Sequence, residues 1–384
     1  MSSSNPSTLT EIFGDANNAY FSNVSGNFGR LAFLRSNHEL MDQASTHPAA
    51  QYIAFDGLNP LRNADNELAY VKYGDVAEQI GRPYQKDEKT QISEFDPAQH
   101  HPALVFLGLD LDPHQHDEKV TLGQYHGTPY FALDVSSSHY ESFKSKQRAK
   151  GLEFKPTRVD LTLSSESAAI FSHARSLLDW NARNRYCSAC GGRTLSAHAG
   201  AKVVCPPSDA GVARKSACPT RIGLHNQAFP RTDPTVIIAP ISADAKRVLL
   251  GRGKKWPANY FSCLSGFVEP GESLEVAARR ETYEETGLRL GRVQLHSSQP
   301  WPYPSTLLIG AIGQCEEGGE KITYPETELE EAKWFEMGEI KHALNSGANP
   351  MWEPPIPGYV GPRVPPAQLM AHQVLRGVLR LFHK

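Results

Sequence analysis

The chain has 384 residues, of which 21% are charged, and a formal net charge of −3. This length predicts two or three domains, and the charge excludes a strongly basic field for binding nucleic acid. No run of eighteen apolar residues occurs, so we expect no membrane-spanning helix. The first residues, MSSSNPSTLTEIFG, lack the basic and apolar regions of a secretory signal, so the sequence alone favours a cytoplasmic protein.

The N-terminal part of the chain reads as a mixed α/β domain that follows a short polar segment. Residues 1–18 are rich in serine, and we expect them to be disordered. Residues 19–180 contain two strand-like runs, LVFLGL at 104–109 and YFALDV at 130–135. Apolar residues at helical spacing predict a helix over 168–184, which leads directly into a group of cysteines.

Four of the six cysteines lie close together in the next segment, residues 181–229. Cys187 and Cys190 form a C-x2-C motif, which is a strong signal for a metal site. Cys205 and Cys218 complete a set of four thiolates that favours a closed structural zinc site, although the wide interval between them is a weaker signal. Disulfides are the alternative, but nothing in the sequence directs the chain to an oxidising compartment.

Residues 230–345 read as a second α/β domain. Its predicted strands are 235–241 and 247–251, which form a hairpin, followed by 306–312 and 333–335. A short helix is predicted from Met337. Residues 346–384 contain a proline-rich loop and an amphipathic helix. We expect this helix to pack on the domain rather than to bind a membrane, because its polar face has few cations.

The most informative segment is GFVEPGESLEVAARRETYEETGL, residues 266–288. Ser273 suits a helix N-cap, and Gly287 suits a C-terminal stop. One face of this helix carries Leu274, Ala278, Glu281 and Glu285, with Glu284 beside them. The carboxylates therefore continue the apolar stripe of the helix, whereas the charged residues of a solvated face lie opposite that stripe. Crowded carboxylates raise one another's pKa unless a cation lies among them, and such oxygen ligands suit Mg²⁺ or Mn²⁺.

This segment resembles the Nudix box, the signature of enzymes that hydrolyse a diphosphate linked to another moiety. It fits the pattern G-x5-E-x7-R-E-U-x-E-E-x-G-U, where U is a bulky apolar residue, at every position but one. The fixed residues are Gly266, Glu272, Arg280, Glu281, Glu284, Glu285 and Gly287. The departure is Thr282, where the family has Val, Ile or Leu. Because Thr is close to Val in size, we expect a small packing cost and an intact site.

A second motif, SQPWPYPS at residues 298–305, resembles the SQPWPFPxS motif of the NADH pyrophosphatase branch of the Nudix superfamily. Its prolines make a stiff loop that presents Trp301 and Tyr303 at fixed orientations, which suits contact with nicotinamide or adenine. The alternative is a proline-rich turn packed on the core. Further similarity, greatest to fungal members, covers HGTPYFALDV at 126–135, ARSLLDWNARNRYCSACG at 174–191 and FPRTDPTVII at 229–238.

The resemblance implies an α/β fold, with an α/β/α Nudix sandwich as catalytic domain after a zinc ribbon and a Nudix-like N-terminal domain. It implies hydrolysis of NADH to reduced nicotinamide mononucleotide and AMP, a homodimer, structural Zn²⁺ and catalytic Mg²⁺ or Mn²⁺. Some members remove NAD caps from RNA by the same bond cleavage. Fungal and animal relatives are often peroxisomal, so the family favours the peroxisome, although LFHK at 381–384 is not a signal of the Ser-Lys-Leu type.

Site residues follow from the positions that match the family. The implied catalytic metal ligands are Glu281, Glu284, Glu285, Glu328 and the carbonyl of Ser265. For Glu328 the alternative is a solvated charge in an acidic loop. One of the glutamates accepts the proton of the attacking water, and which one is left open. Arg280 is expected to orient Glu272 and Glu281 through charge-assisted hydrogen bonds. The implied substrate contacts are Phe229, Phe267, Gln299, Pro300, Trp301, Pro302, Tyr303, Pro304, Ser305, Thr306 and Ala371.

Two other classes of protein remain as alternatives. A Nudix enzyme for another diphosphate, such as ADP-ribose, a dinucleoside polyphosphate or an mRNA cap, would explain the box but not the second motif. A nucleic-acid-binding zinc-ribbon protein with an inactive hydrolase domain would have a basic ribbon and a broken box. The box core RETYEE is intact, but the ribbon does carry basic residues at Arg183, Arg185, Arg193, Lys202, Arg214, Lys215 and Arg221.

Overall fold

The computed structural model describes residues 20–22, 28–112, 119–156, 159, 161–214, 217–222 and 228–382. The segment 1–18, predicted to be disordered, lies outside the described residues. The chain divides into two compact units. The N-terminal unit comprises Phe21–Arg231 with Pro302–Ser305, and the C-terminal unit comprises Thr232–Trp301 with Thr306–Lys384. Within the described ranges, no helix is long and apolar enough to cross a membrane.

A mixed sheet forms the centre of the N-terminal unit. Its strands are β1 (Phe28–Gly29), β2 (Gln51–Asp56), β3 (Asn59–Arg62), β4 (Tyr70–Val71), β5 (Leu104–Asp110), β6 (Val120–Leu122), β7 (Tyr125–Asp134) and β8 (Glu153–Phe154). Their order is β1-β5-β7-β2-β3-β8, with β4 on β2 and β6 on β7. Strands β2 and β7 pair in parallel, and the other neighbours pair antiparallel. The strands predicted at 104–109 and 130–135 lie in β5 and at the end of β7.

Helices and a continuous apolar core cover this sheet. The helices are α1 (His38–Thr46), α2 (Tyr73–Ile80), α3 (Glu88–Ser93), α4 (Glu141–Ala149) and α5 (Ser165–Arg183), with 3-10 turns at Ala32–Leu34, Ser138–Tyr140 and Pro219–Arg221. Strand β5 is buried along its whole length, which explains its unbroken apolar run. The α5 helix begins after Ser164, whose hydroxyl accepts from the N–H of Ser167 (3.2 Å), and its buried face includes Leu177 and Leu178.

Beyond α5, the chain forms two short hairpins among the cysteines. They are β9 (Leu195–Ala197) with β10 (Lys202–Val204), and β11 (Ser208–Asp209) with β12 (Val212–Ala213). The first hairpin is attached to the sheet by the N–H of Phe106, which donates to the carbonyl of Ala199 (3.0 Å). Lys202 adds an ion pair with Glu88 of α3 (2.7 Å). The cysteine region is therefore fixed to the N-terminal sheet by backbone and charge-assisted hydrogen bonds.

A second mixed sheet forms the centre of the C-terminal unit. Its strands are β13 (Asp233–Ile241), β14 (Arg247–Gly253), β15 (Leu264–Phe267), β16 (Leu290–Trp301), β17 (Thr306–Cys315) and β18 (Leu329–Glu336). Their order is β16-β17-β13-β14-β18, with β15 on β13. Strands β13 and β17 pair in parallel, and the other neighbours pair antiparallel. The predicted hairpin is β13 with β14, and the predicted strands 306–312 and 333–335 lie in β17 and β18.

Helices lie on both faces of this second sheet. They are α6 (Leu274–Thr286), α7 (Met337–Ser346) and α8 (Met370–Phe382). Because side chains alternate along a strand, β13 contributes to two cores. Val236 and Ile238 pack in the core that α6 covers, whereas Ala239 and Ile241 pack in the core that α7 and α8 cover. This arrangement confirms the α/β/α sandwich that the sequence predicts.

Gln299 in strand β16 holds the start of the C-terminal helix α8. Its side chain is 2% exposed, so both of its polar groups need partners. The amide Nε2 donates to the carbonyl of Gln368 (2.7 Å), and Oε1 accepts from the N–H of Met370 (2.9 Å). The first N–H groups of a helix have no acceptor within the helix, so Gln299 acts as a cap that comes from a neighbouring strand. Both polar groups of this predicted substrate contact are thus used within the fold.

Replacing Gln299 with alanine is expected to lower the free energy of unfolding by about 2–6 kcal/mol, because two buried backbone groups lose their partners at about 1–3 kcal/mol each. Chemical denaturation followed by tryptophan fluorescence measures the change. Gln294→Ala is the matched control, since Gln294 lies exposed on the same strand and bonds only the neighbouring carbonyl of Leu295 (3.2 Å). Equal stability of the two variants would contradict the capping role.

Candidate active site and zinc centre

The α6 helix carries the carboxylates of the first motif, and its ends are fixed by local contacts. Ser273 accepts a hydrogen bond from the N–H of Val276 (3.3 Å), and Gly287 ends the helix with a φ of 77°. Thr282, the departure from the box pattern, is fully buried, and its hydroxyl has no hydrogen-bond partner among the described residues. A buried hydroxyl without a partner costs about 1–3 kcal/mol, so this departure lowers stability while the helix around it stays regular.

Arg280 joins the carboxylates of the box into one network. Its Nε and Nη2 donate to the two oxygens of Glu272 (2.7 and 2.8 Å), and its Nη1 donates to Glu281 (2.7 Å) and Glu284 (2.9 Å). Nη2 also donates to the backbone carbonyl of Phe267 (2.8 Å). The hydrogen bonds from Arg280 lower the pKa of Glu272 to about 2. Glu272 is therefore an ionised anchor for Arg280, which in turn orients Glu281 and Glu284.

Glu285 lies one helical turn beyond Glu281 and is 3% exposed. Burial, followed by the charges of Glu328 and Glu281, raises the pKa of Glu285 to about 8 against an opposing backbone hydrogen bond from Ser265. Its Oε2 is buried and has no hydrogen-bond partner in the part of the chain that the structure describes. A buried carboxylate oxygen without a partner favours the binding of a proton or of a cation.

Glu326 belongs to the same group of carboxylates, although sequence reasoning missed it. Its N–H donates to the carbonyl of Glu284 (3.2 Å), which fixes the loop before β18 against the end of α6. Burial raises the pKa of Glu281, and the charges of Glu284 and Glu326 add to that effect. The only sequence signal is the acidic run ETELEE at 326–331, which does not show which carboxylate faces the helix.

The carboxylate of Glu281 lies directly against the backbone at Gly266. The residue lies in β15, where it pairs with Val236 of β13. A Cβ at position 266 would lie 1.8 Å from the Cδ of Glu281, a separation that no side chain can accept. The first fixed glycine of the box is thus required by the close approach of a side chain to the backbone.

The oxygen donors around α6 fit a hard divalent cation. The residues implied as ligands are Glu281, Glu284, Glu285, Glu328 and Ser265. Of these, Glu328 and Glu281 lie close enough to Glu285 for their charges to raise its pKa, and the backbone of Ser265 is hydrogen-bonded to it. The unpartnered Oε2 of Glu285 and its raised pKa show an excess of negative charge that a cation would offset. Arg280 does not remove this excess, since its side-chain hydrogen bonds go to the other carboxylates.

The second motif divides between the end of strand β16 and the loop that follows it. Trp301 is half-buried at the end of the strand. The loop Pro302–Ser305 belongs to the N-terminal unit, where Tyr303 packs edge-on against Phe21 (6.2 Å between ring centroids) and lies under the guanidinium of Arg175 (4.8 Å). Contacts within the fold therefore hold the Tyr303 ring. The buried members of the motif are Gln299, Pro302 and Ser305, and Thr306, which follows it, is also buried.

The remaining predicted substrate contacts lie in different elements. Phe267 ends β15 and is 60% exposed, and its carbonyl is an acceptor of Arg280. Phe229 is exposed and belongs to the N-terminal unit. Ala371 lies in the first turn of α8, where its carbonyl accepts from the buried thiol of Cys263 (3.7 Å). Of these residues, Phe267 is the one whose backbone carbonyl is bonded to the carboxylate network.

The four predicted zinc ligands meet in the N-terminal unit. The Sγ atoms of Cys187, Cys190, Cys205 and Cys218 all lie within 4.8 Å of one another, and none of the four forms a disulfide. Cys187 lies 3.6 Å from Cys218, and Cys190 lies 3.5 Å from Cys205. A tetrahedral zinc ion with Zn–S bonds of about 2.3 Å requires sulfur separations of this size. Cys218 therefore meets the geometry of the fourth ligand, despite the wide interval that precedes it.

The pKa values of the thiols also reflect their crowding. Burial opposes the ionisation of Cys187, but hydrogen bonds from the Thr220 hydroxyl and from backbone N–H groups lower its pKa to about 6. Burial, with the neighbouring thiols, raises the pKa of Cys205 to about 12. One metal cation in the centre of the group would stabilise all four thiolates at once, so the donor set fits structural zinc.

Several basic residues of the ribbon are paired within the fold. The pairs are Arg183 with Asp179, Lys202 with Glu88, and Arg214 with Asp209. Lys215 lies outside the described residues. A guanidinium or ammonium group that already has a carboxylate partner is less available to phosphates. The ribbon therefore presents less positive charge than its sequence indicates, which weakens the alternative of a nucleic-acid-binding protein.

Comparisons with known proteins agree with this geometry. Family models match as an NADH pyrophosphatase-like rudimentary NUDIX domain at 49–180, an NADH pyrophosphatase zinc ribbon domain at 182–210 and a NUDIX domain at 231–353. The chain is 33% identical to the NAD-capped RNA hydrolase of Schizosaccharomyces pombe, over 86% of this chain and 88% of the relative. It is also 32% identical to NAD-capped RNA hydrolase NUDT12 of Macaca fascicularis, over 92% of this chain and 72% of the relative. The identity to NAD-capped RNA hydrolase NPY1 of Saccharomyces cerevisiae is 32%, over 83% of this chain and 85% of the relative. The chain thus belongs to the NADH pyrophosphatase-like family of Nudix hydrolases.

Proposed function

We propose that the protein is a metal-dependent diphosphatase that cleaves the pyrophosphate bond of NAD(H), giving nicotinamide mononucleotide and AMP. We further propose that it removes NAD caps from RNA by the same cleavage. The observation that carries this proposal is the buried Oε2 of Glu285, which has no partner among the described residues and lies within a group of carboxylates. The similarity to NAD-capped RNA hydrolases over most of the chain supports NAD as the substrate class.

The residues of the box would have distinct tasks in this reaction. When bound, divalent ions such as Mg²⁺ or Mn²⁺ neutralise the diphosphate oxygens and activate water. Glu281, Glu285 and Glu328 would hold these ions, and Arg280 would keep Glu281 in position. A glutamate beside the bound ions would be a suitable acceptor for the proton of the attacking water. Glu284, whose side chain is 44% exposed, can act either as this base or as a further ligand.

Three further properties are proposed from the family resemblance. Zinc in the ribbon would be structural, because a set of four thiolates leaves no open position for substrate. The protein would act as a homodimer, which sedimentation velocity tests. It would work in the cytoplasm or in peroxisomes, and a fluorescent fusion at the N-terminus distinguishes these compartments.

The choice of substrate is tested by initial rates on NADH, NAD⁺, ADP-ribose and NAD-capped RNA, in wild-type protein and in Trp301→Ala. We expect the highest kcat/KM on NADH or on NAD-capped RNA. In the variant we expect a loss of a few-fold to tenfold on NADH, because an aromatic contact contributes about 0.5–1.5 kcal/mol beyond its area. The loss on ADP-ribose should be smaller, because ADP-ribose lacks nicotinamide.

Trp352→Ala is the control for this experiment, since Trp352 is 57% exposed and lies outside both motifs. It should leave all four rates unchanged. Equal losses on NADH and ADP-ribose in Trp301→Ala would mean that the motif only supports the fold. Fastest turnover of ADP-ribose by the wild-type protein would contradict NAD(H) as the substrate.

The role of the carboxylates is tested by Glu284→Gln and Glu285→Gln. Each change keeps the shape of the side chain and removes its charge, so kcat should fall by about a hundredfold or more while the protein still folds. Glu275→Gln is the matched control, because Glu275 lies in the first turn of the same helix and bonds Ser273. A Gln variant with a rate near that of the wild type would exclude that residue from the mechanism.

The raised pKa of Glu285 predicts that cation binding releases a proton. The folded protein without metal keeps a proton on this group up to about pH 8, whereas the unfolded chain loses it near pH 4.5. Between these values, rising pH therefore destabilises the metal-free protein, and a cation that replaces the proton binds more tightly as pH rises. Calorimetry with Mg²⁺ in buffers of different ionisation enthalpy measures the released proton. Mg²⁺ affinity that is constant from pH 6 to pH 8 would contradict the coupling, and Glu285→Gln should abolish the release.

A further inference from the structure

The interval between Cys205 and Cys218 contains the hairpin β11–β12, and this hairpin returns Arg214 to the cysteines. The N–H of Ala210 at its tip donates to the carbonyl of Phe95 (2.8 Å), which attaches the hairpin to the N-terminal unit. Arg214 follows β12 directly. The wide spacing of the second cysteine pair therefore accommodates an ordered element rather than an open loop.

Two guanidinium groups converge on one sulfur atom of the predicted zinc site. Nη1 of Arg214 and Nη2 of Arg221 both donate to the Sγ of Cys205, at 3.5 and 3.4 Å. Arg221 is held in this position because its Nε donates to the carbonyl of Cys205 (3.0 Å) and its Nη2 donates to that of Pro206 (2.9 Å). Both contacts with sulfur are charge-assisted hydrogen bonds.

The position of the Arg214 side chain is fixed by its surroundings. The side chain is 8% exposed, its Nε donates to both oxygens of Asp209 (3.0 Å each), and its Nη2 donates to the carbonyl of Arg193 (2.9 Å). A Cβ at Gly192 would lie 2.2 Å from Nη1 of Arg214. A side chain at position 192, in the turn after Cys190, would therefore have to displace the guanidinium from the place in which it contacts the sulfur.

The negative charge of a zinc site with four thiolates makes these contacts favourable. Four thiolates around one Zn²⁺ carry a net negative charge, and the two guanidinium groups offset it. A partly buried charge is costly unless charges and hydrogen bonds compensate it. Loss of a hydrogen-bonding partner of a metal ligand commonly weakens metal binding by about 10–100-fold.

We propose that the described residues 206–214, which lie between Cys205 and Cys218, form a zinc-retention element. It positions Arg214 beside the sulfur of Cys205, where Arg214 and Arg221 together slow the loss of zinc from the ribbon. Gly192 provides the space that this contact needs. The proposal concerns the zinc site alone and holds whatever diphosphate the enzyme hydrolyses.

Zinc transfer from the purified, zinc-loaded full-length protein to a chelating dye measures retention directly. Arg214→Leu removes both the donor and its charge, and we expect zinc transfer to become about 10–100 times faster. Gly192→Ala keeps Arg214 in the chain but blocks its path to the sulfur, so it should also accelerate the transfer. Arg183→Leu is the control, since Arg183 lies at the end of α5 and pairs with Asp179, and it should behave as the wild type does.

A fourth variant distinguishes zinc retention from a general loosening of the hairpin. Asp209→Asn removes the ion pair that holds Arg214 but leaves its N–H groups free to contact Cys205, so its effect should be clearly smaller than that of Arg214→Leu. Wild-type retention in Arg214→Leu, or equal losses in Arg214→Leu and Asp209→Asn, would overturn the proposal. If Arg214→Leu cannot be obtained with zinc, Arg214→Gln, which also removes the positive charge, replaces it, and wild-type retention in that variant would equally overturn the proposal.

Discussion

The catalytic unit is organised around one electrostatic constraint, the burial of the Glu285 carboxylate among other negative charges. Burial and the charges of Glu328 and Glu281 all disfavour its ionised form. The guanidinium of Arg280 forms its side-chain hydrogen bonds with other carboxylates, and it donates to both oxygens of Glu272. The fold therefore leaves one carboxylate oxygen without a partner among the described residues, and this oxygen is where we propose that a catalytic cation binds.

At the thiolate site, in contrast, the fold itself supplies positive charge beside the buried negative charge. Around Cys205, the fold supplies two guanidinium groups in addition to the space for a metal, so the negative charge has permanent partners. Around Glu285 no such guanidinium partner is seen among the described residues, and in the proposed mechanism an exchangeable ion would balance its charge. This difference matches the two proposed tasks, because a structural ion should stay bound, whereas catalytic ions act together with a substrate that arrives and leaves.

Features that depend on neighbouring residues could be predicted from the sequence, and features that depend on distant ones could not. Ser273 and Gly287 predicted the ends of α6, because a helix cap is formed within one turn. The four cysteines predicted a shared site from their types and spacing. The contact of Gln299 with the start of α8 had no local signal, since its partners lie about seventy residues further along the chain. Glu326 was missed because a run of acidic residues does not show which one faces the helix.

In the second motif, the supporting contacts that the structure shows are compatible with the binding role that we propose. An amide side chain offers a donor and an acceptor together, which is what Gln299 needs to hold both a carbonyl and an N–H group at the start of α8. Tyr303 is held by Arg175 and Phe21 within its own unit. A loop fixed in this way loses little conformational entropy when a ligand binds, and such preorganisation increases affinity. The contacts that support the fold therefore favour the aromatic recognition that we propose for Trp301.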